Sequence, residues 1–301
     1  MSRILKIIAV IVGVLLGIVG LFLLFVWVRS NSILNKAYDA PEIAISVPTD
    51  EEAIERGRYL ATVISVCIDC HGTDFGGGVV VDDPALGIVV APNLTTGVNG
   101  LGAELTDDDF ARVLRYGVLP DGKSVRVMPS DDYTHMSLTD MGAVIAYVRS
   151  LPPVDSDWPE TKLKLLGRIL LATGQLPIMI ADRIDFAAAR PEPEPGVTLE
   201  YGAYLANIAG CTGCHGPGLA GGMIPGAPPD WPQAANLTPS GEVGMWSETQ
   251  FIETIRTGVN PEGRQLVNEM PWRYYAQMTD AELQAIWLFV HSVPAKEAGT
   301  R

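Results

Sequence analysis

Positive charge is in short supply in this chain: 21 Lys and Arg stand against 35 Asp and Glu, a net charge of −14. A phosphate backbone is held by cations, so nucleic acid is excluded as a partner. The balance suits a protein partner with a basic docking face, and it also serves plain solubility. Cysteine is scarcer. All 4 Cys fall in two pentapeptides, leaving none for a disulfide framework, a separate redox sensor or an isolated thiolate ligand. Histidine is limited to 4, two of them in the same pentapeptides.

Those pentapeptides are Cys67-Ile68-Asp69-Cys70-His71 and Cys211-Thr212-Gly213-Cys214-His215. Two Cys spaced by two residues, with His directly after the second, is the attachment pattern of c-type haem. Each thiol adds to one vinyl group, and the adjacent imidazole reaches the iron. A zinc ribbon would pair two C-x-x-C units at close spacing, whereas 144 residues separate these two, each followed by His. The expected cofactors are therefore two covalently bound haem c, through Cys67, Cys70, Cys211 and Cys214, with His71 and His215 on iron.

Residues Ile7 to Val28 carry no charged or strongly polar side chain, and 22 such residues are enough to span a bilayer. Trp27 ends the run, where interfacial aromatics are common. The run is longer than a signal-peptide core and lacks a small-residue cleavage site, which points to a retained anchor. Covalent haem attachment occurs outside the cytoplasm, so the remainder is expected in the periplasm or on the outer face of the cytoplasmic membrane.

The signals around the first pentapeptide return around the second. Gly57-Arg58-Tyr59-Leu60-Ala61 matches Gly202-Ala203-Tyr204-Leu205-Ala206, Asn93-Leu94-Thr95 matches Asn236-Leu237-Thr238, and Met128-Pro129 matches Met270-Pro271. Ser150-Leu151-Pro152 matches Ser292-Val293-Pro294, and the offset stays between 141 and 145 throughout. A repeat of this length predicts two homologous, mainly α units with long loops. Cap signatures open their helices: Thr49 with Glu52, Thr106 with Asp109, Ser137 with Asp140 and Thr279 with Glu282. The expected division is an anchor over 1–30, a tether over 31–48, a first domain over 49–152, a linker over 153–195, a second domain over 196–296 and a tail over 297–301. The linker holds proline-rich connectors and an apolar stretch, Leu163 to Ile180, with Lys162, Lys164 and Arg168 near its start. It reads as a strap packed across the two domains or as an amphipathic helix on the membrane surface; Gly174 and Pro177 favour the strap.

An iron with one imidazole has an open axial position, and a His/Met pair is associated with electron transfer. Met128 and Met270 occupy equivalent loop positions before the last helix of each repeat, with Pro next in sequence. Met136 and Met278 are the matched rivals, equally suited to core packing. A ligating His donates its other ring N–H to an orienting acceptor, and the Ala91-Pro92-Asn93-Leu94 segment, with Ala235 as counterpart, is a candidate carbonyl source. Trp231, Trp246, Trp272 and Tyr274 line a haem, bond a propionate or pack the core. His135 has no counterpart and His291 lies in the last helix.

With these residues in place, the chain resembles membrane-anchored dihaem members of the cytochrome c family, and in particular the cytochrome c subunits of bacterial periplasmic dehydrogenases. The resemblance covers about 50–152 and 197–294. It implies two tandem cytochrome c-type domains, each wrapping one haem with His/Met iron: His71 with Met128, His215 with Met270. Those subunits usually carry three haems, against two motifs here. The implied role is electron carriage between redox partners, a dehydrogenase, oxidase or soluble cytochrome, without catalysis. The alternatives are a dihaem peroxidase-like enzyme with one open or His-ligated iron, which only His135 suggests, and the electron-accepting subunit of a dehydrogenase complex.

Overall fold

The computed structural model describes residues 3–190, 192–228 and 230–300. Met1, Ser2, Pro191, Pro229 and Arg301 lie outside the described residues, so the Pro-Glu-Pro run is seen only from Glu192. Helix α1 (Arg3–Leu34) contains the whole apolar run and continues beyond Arg29. It is exposed up to Phe25; beyond that Val26, Ser30 and Leu34, which share one stripe, are buried, and Asn31 and Ile33 are partly buried.

Helix α2 (Glu51–Tyr59) starts one residue later than the Thr49/Glu52 signature predicts. Asp50 is the N-cap, its carboxylate accepting the Ala53 N–H at 2.9 Å. Asp caps as well as Thr does, and the neighbouring acidic residues complement the helix dipole from either start. The helix widens into a π turn over Leu60–Ile64, burying Leu60, Ala61, Val63 and Ile64. Val66, with φ 46°, breaks it, so the pentapeptide forms its own short helix, α3 (Ile68–His71).

The glycine-rich region after His71 is not all loop. Gly78 opens strand β1 (Gly78–Asp83), which turns into β2 (Gly87–Ala91). Later in the chain β3 (Lys162–Leu163) adds to the other edge of β2, giving the order β1-β2-β3, antiparallel throughout. Helix α4 (Asp107–Tyr116) carries the expected Thr106/Asp109 capping box and ends on Gly117 at φ 63°. Short helix α5 (Ser130–Tyr133) precedes α6 (Leu138–Ser150), capped by Ser137. Helix α7 (Leu165–Ala172) occupies the linker.

The second set follows in the same order: α8 (Leu199–Ile208), α9 (Cys211–His215), α10 (Glu248–Thr257), α11 (Trp272–Tyr275) and α12 (Asp280–Ser292). Thr279 and Glu282 form the capping box of α12.

The repeated glycine has a packing cause. A Cβ on Gly57 would lie 1.9 Å from the Ala143 carbonyl oxygen, and one on Gly202 would lie 1.9 Å from that of Ala285. Helices α2 and α6 therefore approach backbone to backbone, as do α8 and α12. Only glycine permits that approach.

One buried apolar cluster runs through both repeats, from Leu60, Ile64 and Phe75 to Leu205, Ile208 and Leu283. The contacts between repeats are reciprocal. The Tyr59 hydroxyl donates to Glu282 and the Tyr204 hydroxyl to Asp140, the latter at 2.6 Å. Since 59 matches 204 and 140 matches 282, the pairing has the form of an isologous interface. Arg56 breaks the symmetry. Its guanidinium donates two bonds of 3.0 Å to Asp140 and approaches Glu282 at 3.7 Å, whereas its counterpart is Tyr201.

The linker wraps the first repeat. Trp158 Nε1 donates to the Gly76 carbonyl, Thr161 accepts from Val90 N–H, Arg190 donates to the Thr134 carbonyl, and Glu192 accepts from Leu138 N–H. Between these points α7 packs against α1, Arg168 donating to Ser30 Oγ and Asn31 Oδ1, both at 3.0 Å.

Candidate functional site: a shared cavity lined by both pentapeptides

Helix α3 projects Cys67, Cys70 and His71 into a cavity of about 1930 Å³, and α9 projects Cys211, Cys214 and His215 into the same cavity. A site for one small ligand typically measures roughly 300–1,000 Å³, so this space is large even for a bulky group. Its walls are mostly apolar, built from the inner faces of the helices in both repeats.

The imidazoles are held alike. His71 Nδ1 donates to the Pro92 carbonyl at 2.9 Å, and His215 Nδ1 donates to the Ala235 carbonyl at 2.7 Å. Both carbonyls lie where the sequence placed a candidate acceptor. A proton on Nδ1 leaves the lone pair on Nε2, the tautomer a metal ligand needs. Burial lowers the His71 pKa, which favours its neutral form.

None of the four cysteines is in a disulfide. Burial pushes the Cys67 and Cys211 thiols up to about 12. A dithiol oxidoreductase needs the opposite shift, toward thiolate. Among the described residues no group of three or more His, Cys, Asp or Glu is placed to hold a metal ion, as a zinc site would require.

Met128 and Met270 both line the cavity and are partly buried against the core. Met136, 1% exposed, does not line it, whereas Met278, 2% exposed, does. Pro129 and Pro271 begin the same turn in each repeat: Tyr133 and Tyr275 follow, their hydroxyls donating to the Ser65 and Ala209 carbonyls that precede the pentapeptides. This ties each methionine loop to its own cysteine helix.

The aromatic group divides. Trp231 and Trp246 line the cavity, and Trp246 Nε1 is buried without a hydrogen-bond partner, as is Asn260 Nδ2 on the same wall. The chamber's size and apolar walls, with a cysteine pair and an imidazole from each repeat among its lining, fit haem c. Trp272 packs against Gly258, and the Tyr274 hydroxyl donates to Asp69 at 3.0 Å. His135 does not line the cavity and sits beside Arg115 and Arg190. The His291 ring accompanies Trp287, whose carbonyl accepts from its Nδ1.

Asp132 escapes sequence reasoning. It is 8% exposed and lies against Gly213, where a Cβ would come within 2.9 Å of its Oδ2. Burial, helped by Asp131 and opposed by Arg183, raises its carboxyl to about 7. Nothing local marks it, since the matching position in the second repeat is Tyr274.

Cysteine pairs that end on a metal-ready imidazole, in a helical shell around an apolar chamber, define a c-type haem protein. Residues 198–290 match the family model described as "Cytochrome C oxidase, cbb3-type, subunit III". This is a cytochrome c domain, and such a domain implies covalently bound haem c. The chain is 29% identical over 275 residues to the fructose dehydrogenase cytochrome subunit of Gluconobacter japonicus, covering 81% of this chain and 53% of that one. It is 30% identical over 241 residues to the cytochrome c subunit of alcohol dehydrogenase (quinone) from Gluconobacter oxydans (strain 621H), covering 69% of this chain and 48% of that one. A diheme cytochrome c-type protein of Cereibacter sphaeroides is 28% identical, covering 75% of this chain and 74% of that one. The chain thus resembles cytochrome c subunits of periplasmic dehydrogenases, and it spans about half the length of the first two.

Proposed function

We propose that the protein is a membrane-anchored dihaem c-type cytochrome that carries electrons between redox partners and does no substrate chemistry of its own. The observation that carries this reading is the repeated constellation around one chamber: Cys67, Cys70, His71 and Met128 on one side, Cys211, Cys214, His215 and Met270 on the other. The cysteines would hold haem c through thioether links, and His71 with Met128 and His215 with Met270 would ligate the two irons. Met128 and Met270 are preferred to Met136 and Met278 because both line the chamber in equivalent loops, which Met136 does not. Two tandem haem domains, 49–152 and 196–296, follow from this assignment.

When bound, haem c supplies one-electron exchange at iron, with Met ligation raising the reduction potential. The protein's part is to hold, insulate and tune. Pro92 and Ala235 carbonyls fix the imidazoles, and the apolar walls would exclude water from a bound haem. With α1 as a retained anchor, both haem domains face the periplasm. Names of relatives support a narrower reading, in which a dehydrogenase is the electron donor and this chain its cytochrome subunit. A peroxidase reading has no support from His135, which stands off the chamber.

Haem counting by the pyridine haemochrome assay tests the core of the proposal. The full chain should carry two haem c. Cys67→Ala with Cys70→Ala, and Cys211→Ala with Cys214→Ala, should each remove one. A single haem in the unaltered chain, or enzymatic peroxide turnover, would overturn it.

A further inference from the structure

The linker helix α7 has a face that the protein leaves uncovered. Leu165 is 57% exposed and Leu166 is 42% exposed, in adjacent positions at the start of the helix. The opposite face, with Gly167, Leu171 and Ala172, is buried. Two exposed leucines alone would mean little. Their position gives them meaning, because α7 packs against the end of α1. The buried stripe of α1 includes Val26, which lies inside the apolar run, and Arg168 clasps Ser30 and Asn31 just beyond it. If α1 spans the bilayer, α7 is held at the depth where hydrocarbon gives way to headgroups.

Charge agrees with that depth. The chain has only six lysines. Lys162 and Lys164 both stand just before the first residue of α7 and are exposed. Lys36 follows α1, and Lys123 pairs by backbone bridge with Ala37. Four of the six therefore gather around the foot of α1 in a chain of net charge −14; Lys36 pairs with Asp182 and Lys123 with Asp121, so Lys162 and Lys164 form the basic rim. A basic rim beside an apolar face is the pattern of a helix lying in an anionic lipid surface.

We propose that α7 is an interfacial helix that beds Leu165 and Leu166 in the lipid surface beside α1, with Lys162 and Lys164 at the phosphates. The partner is the anionic bilayer itself. The helix then acts as a second foot, fixing the first repeat close to the membrane through β3, Trp158 and Arg190. This rests on reading α1 as a membrane span, and the test separates the two.

Full-length holoprotein is reconstituted in vesicles of phosphatidylcholine and phosphatidylglycerol, with an environment-sensitive fluorophore on an introduced cysteine. The native cysteines are consumed in thioether bonds. Three sites are compared: Leu166→Cys on α7, Leu16→Cys in the middle of α1, and Val98→Cys, 61% exposed on the first repeat. Quenching by lipid bearing a nitroxide near its headgroup is set against quenching by aqueous iodide. Lipid quenching should exceed iodide quenching by about threefold or more at 166, with lipid dominant at 16 and iodide at 98. Lys162→Glu with Lys164→Glu should reduce the lipid quenching at 166 by about half. Iodide dominance at 166, with 16 still lipid-quenched, overturns the interfacial helix and spares the anchor. Shielding of 166 from both quenchers means a protein covers this face, which also overturns it. A position 16 open to iodide removes the anchor and this proposal together.

Discussion

The two pentapeptide sites are built from the same parts and differ in what lies over them. At the first, His71 is 7% exposed, and the chain beyond α6 returns across the site. Asn93 Nδ2 donates to the Val154 carbonyl, Trp158 reaches the Gly76 carbonyl, and β3 closes the sheet edge. At the second, the equivalent asparagine, Asn236, donates to the Lys296 carbonyl at 2.8 Å, and Gly299 N–H reaches Ala220 as Trp158 reaches Gly76. There the resemblance stops among the described residues. His215 is only half-buried, and Trp231 stays 40% exposed at the chamber wall. A shared frame thus holds one imidazole more deeply than the other.

The sharpest way to break this symmetry is to remove one methionine at a time. Met128→Ala and Met270→Ala should each lower the potential of their own haem by on the order of 0.2 V, within the roughly 0.8 V that axial ligands command. Each should also halve the weak long-wavelength absorption of ferric His/Met haem, and the double variant should abolish it. Spectroelectrochemical titration checks both. Survival of the band in the double variant moves the ligands to Met136 and Met278.

A test of the frame itself comes next. Gly57→Ala and Gly202→Ala each drive a methyl group into a helix backbone carbonyl at 1.9 Å. Each should cost about 3 kcal/mol, the upper end of overpacking penalties, read by denaturant unfolding of the holoprotein. Similar losses would show that the repeats depend equally on this crossing. A much smaller loss at Gly57 would mean that the linker supports the first.

Asp132 offers a smaller and pH-dependent difference. Its carboxyl, raised to about 7 by burial, lies against the second pentapeptide, whereas the first has the neutral Tyr274 bonded to Asp69. The folded pKa is above the ordinary value of 3.8, so the folded state holds the proton more tightly. Its contribution to stability is therefore full below about pH 4 and declines as pH rises through about 7. An anion formed there favours ferric iron. The second potential should accordingly fall by a few tens of millivolts between about pH 6 and 8, with the first far less affected. Asp132→Asn should flatten that slope and stabilise the protein above pH 7. An unchanged slope in the variant would assign it to another group.

Legibility followed locality. The haem motifs, the caps at Thr106, Ser137 and Thr279, and the carbonyl partners of His71 and His215 were readable because each depends on a few neighbouring residues that occur twice. The cap at Asp50 was displaced by one because two capping residues stand side by side. The β1–β2 hairpin hid behind glycines that also suit a loop, and β3 contributes only two residues from a distant linker. Asp132, Arg56 and the Tyr59–Glu282 pair work through contacts between repeats, where no spacing rule applies. The linker's course over the first repeat belongs to the same class: its prolines indicate stiffness but not direction.

The reciprocal tyrosines sharpen the comparison at its finest scale. Tyr59→Phe and Tyr204→Phe each delete one hydrogen bond to a carboxylate in the opposite repeat. The acceptors are not left in equal states. Asp140 retains the two bonds from Arg56, whereas Glu282 retains the Thr279 cap and only a 3.7 Å approach by Arg56. Loss of Tyr204 should therefore cost about 1 kcal/mol, and loss of Tyr59 somewhat more, because the donors left bonded to buried Glu282 are the neutral Thr279 N–H and hydroxyl rather than a charged guanidinium. A double-variant cycle with Arg56→Met should show coupling to Tyr204 through Asp140 and weaker coupling to Tyr59. Equal coupling would mean that Arg56 serves both carboxylates alike, and that this interface is symmetric after all.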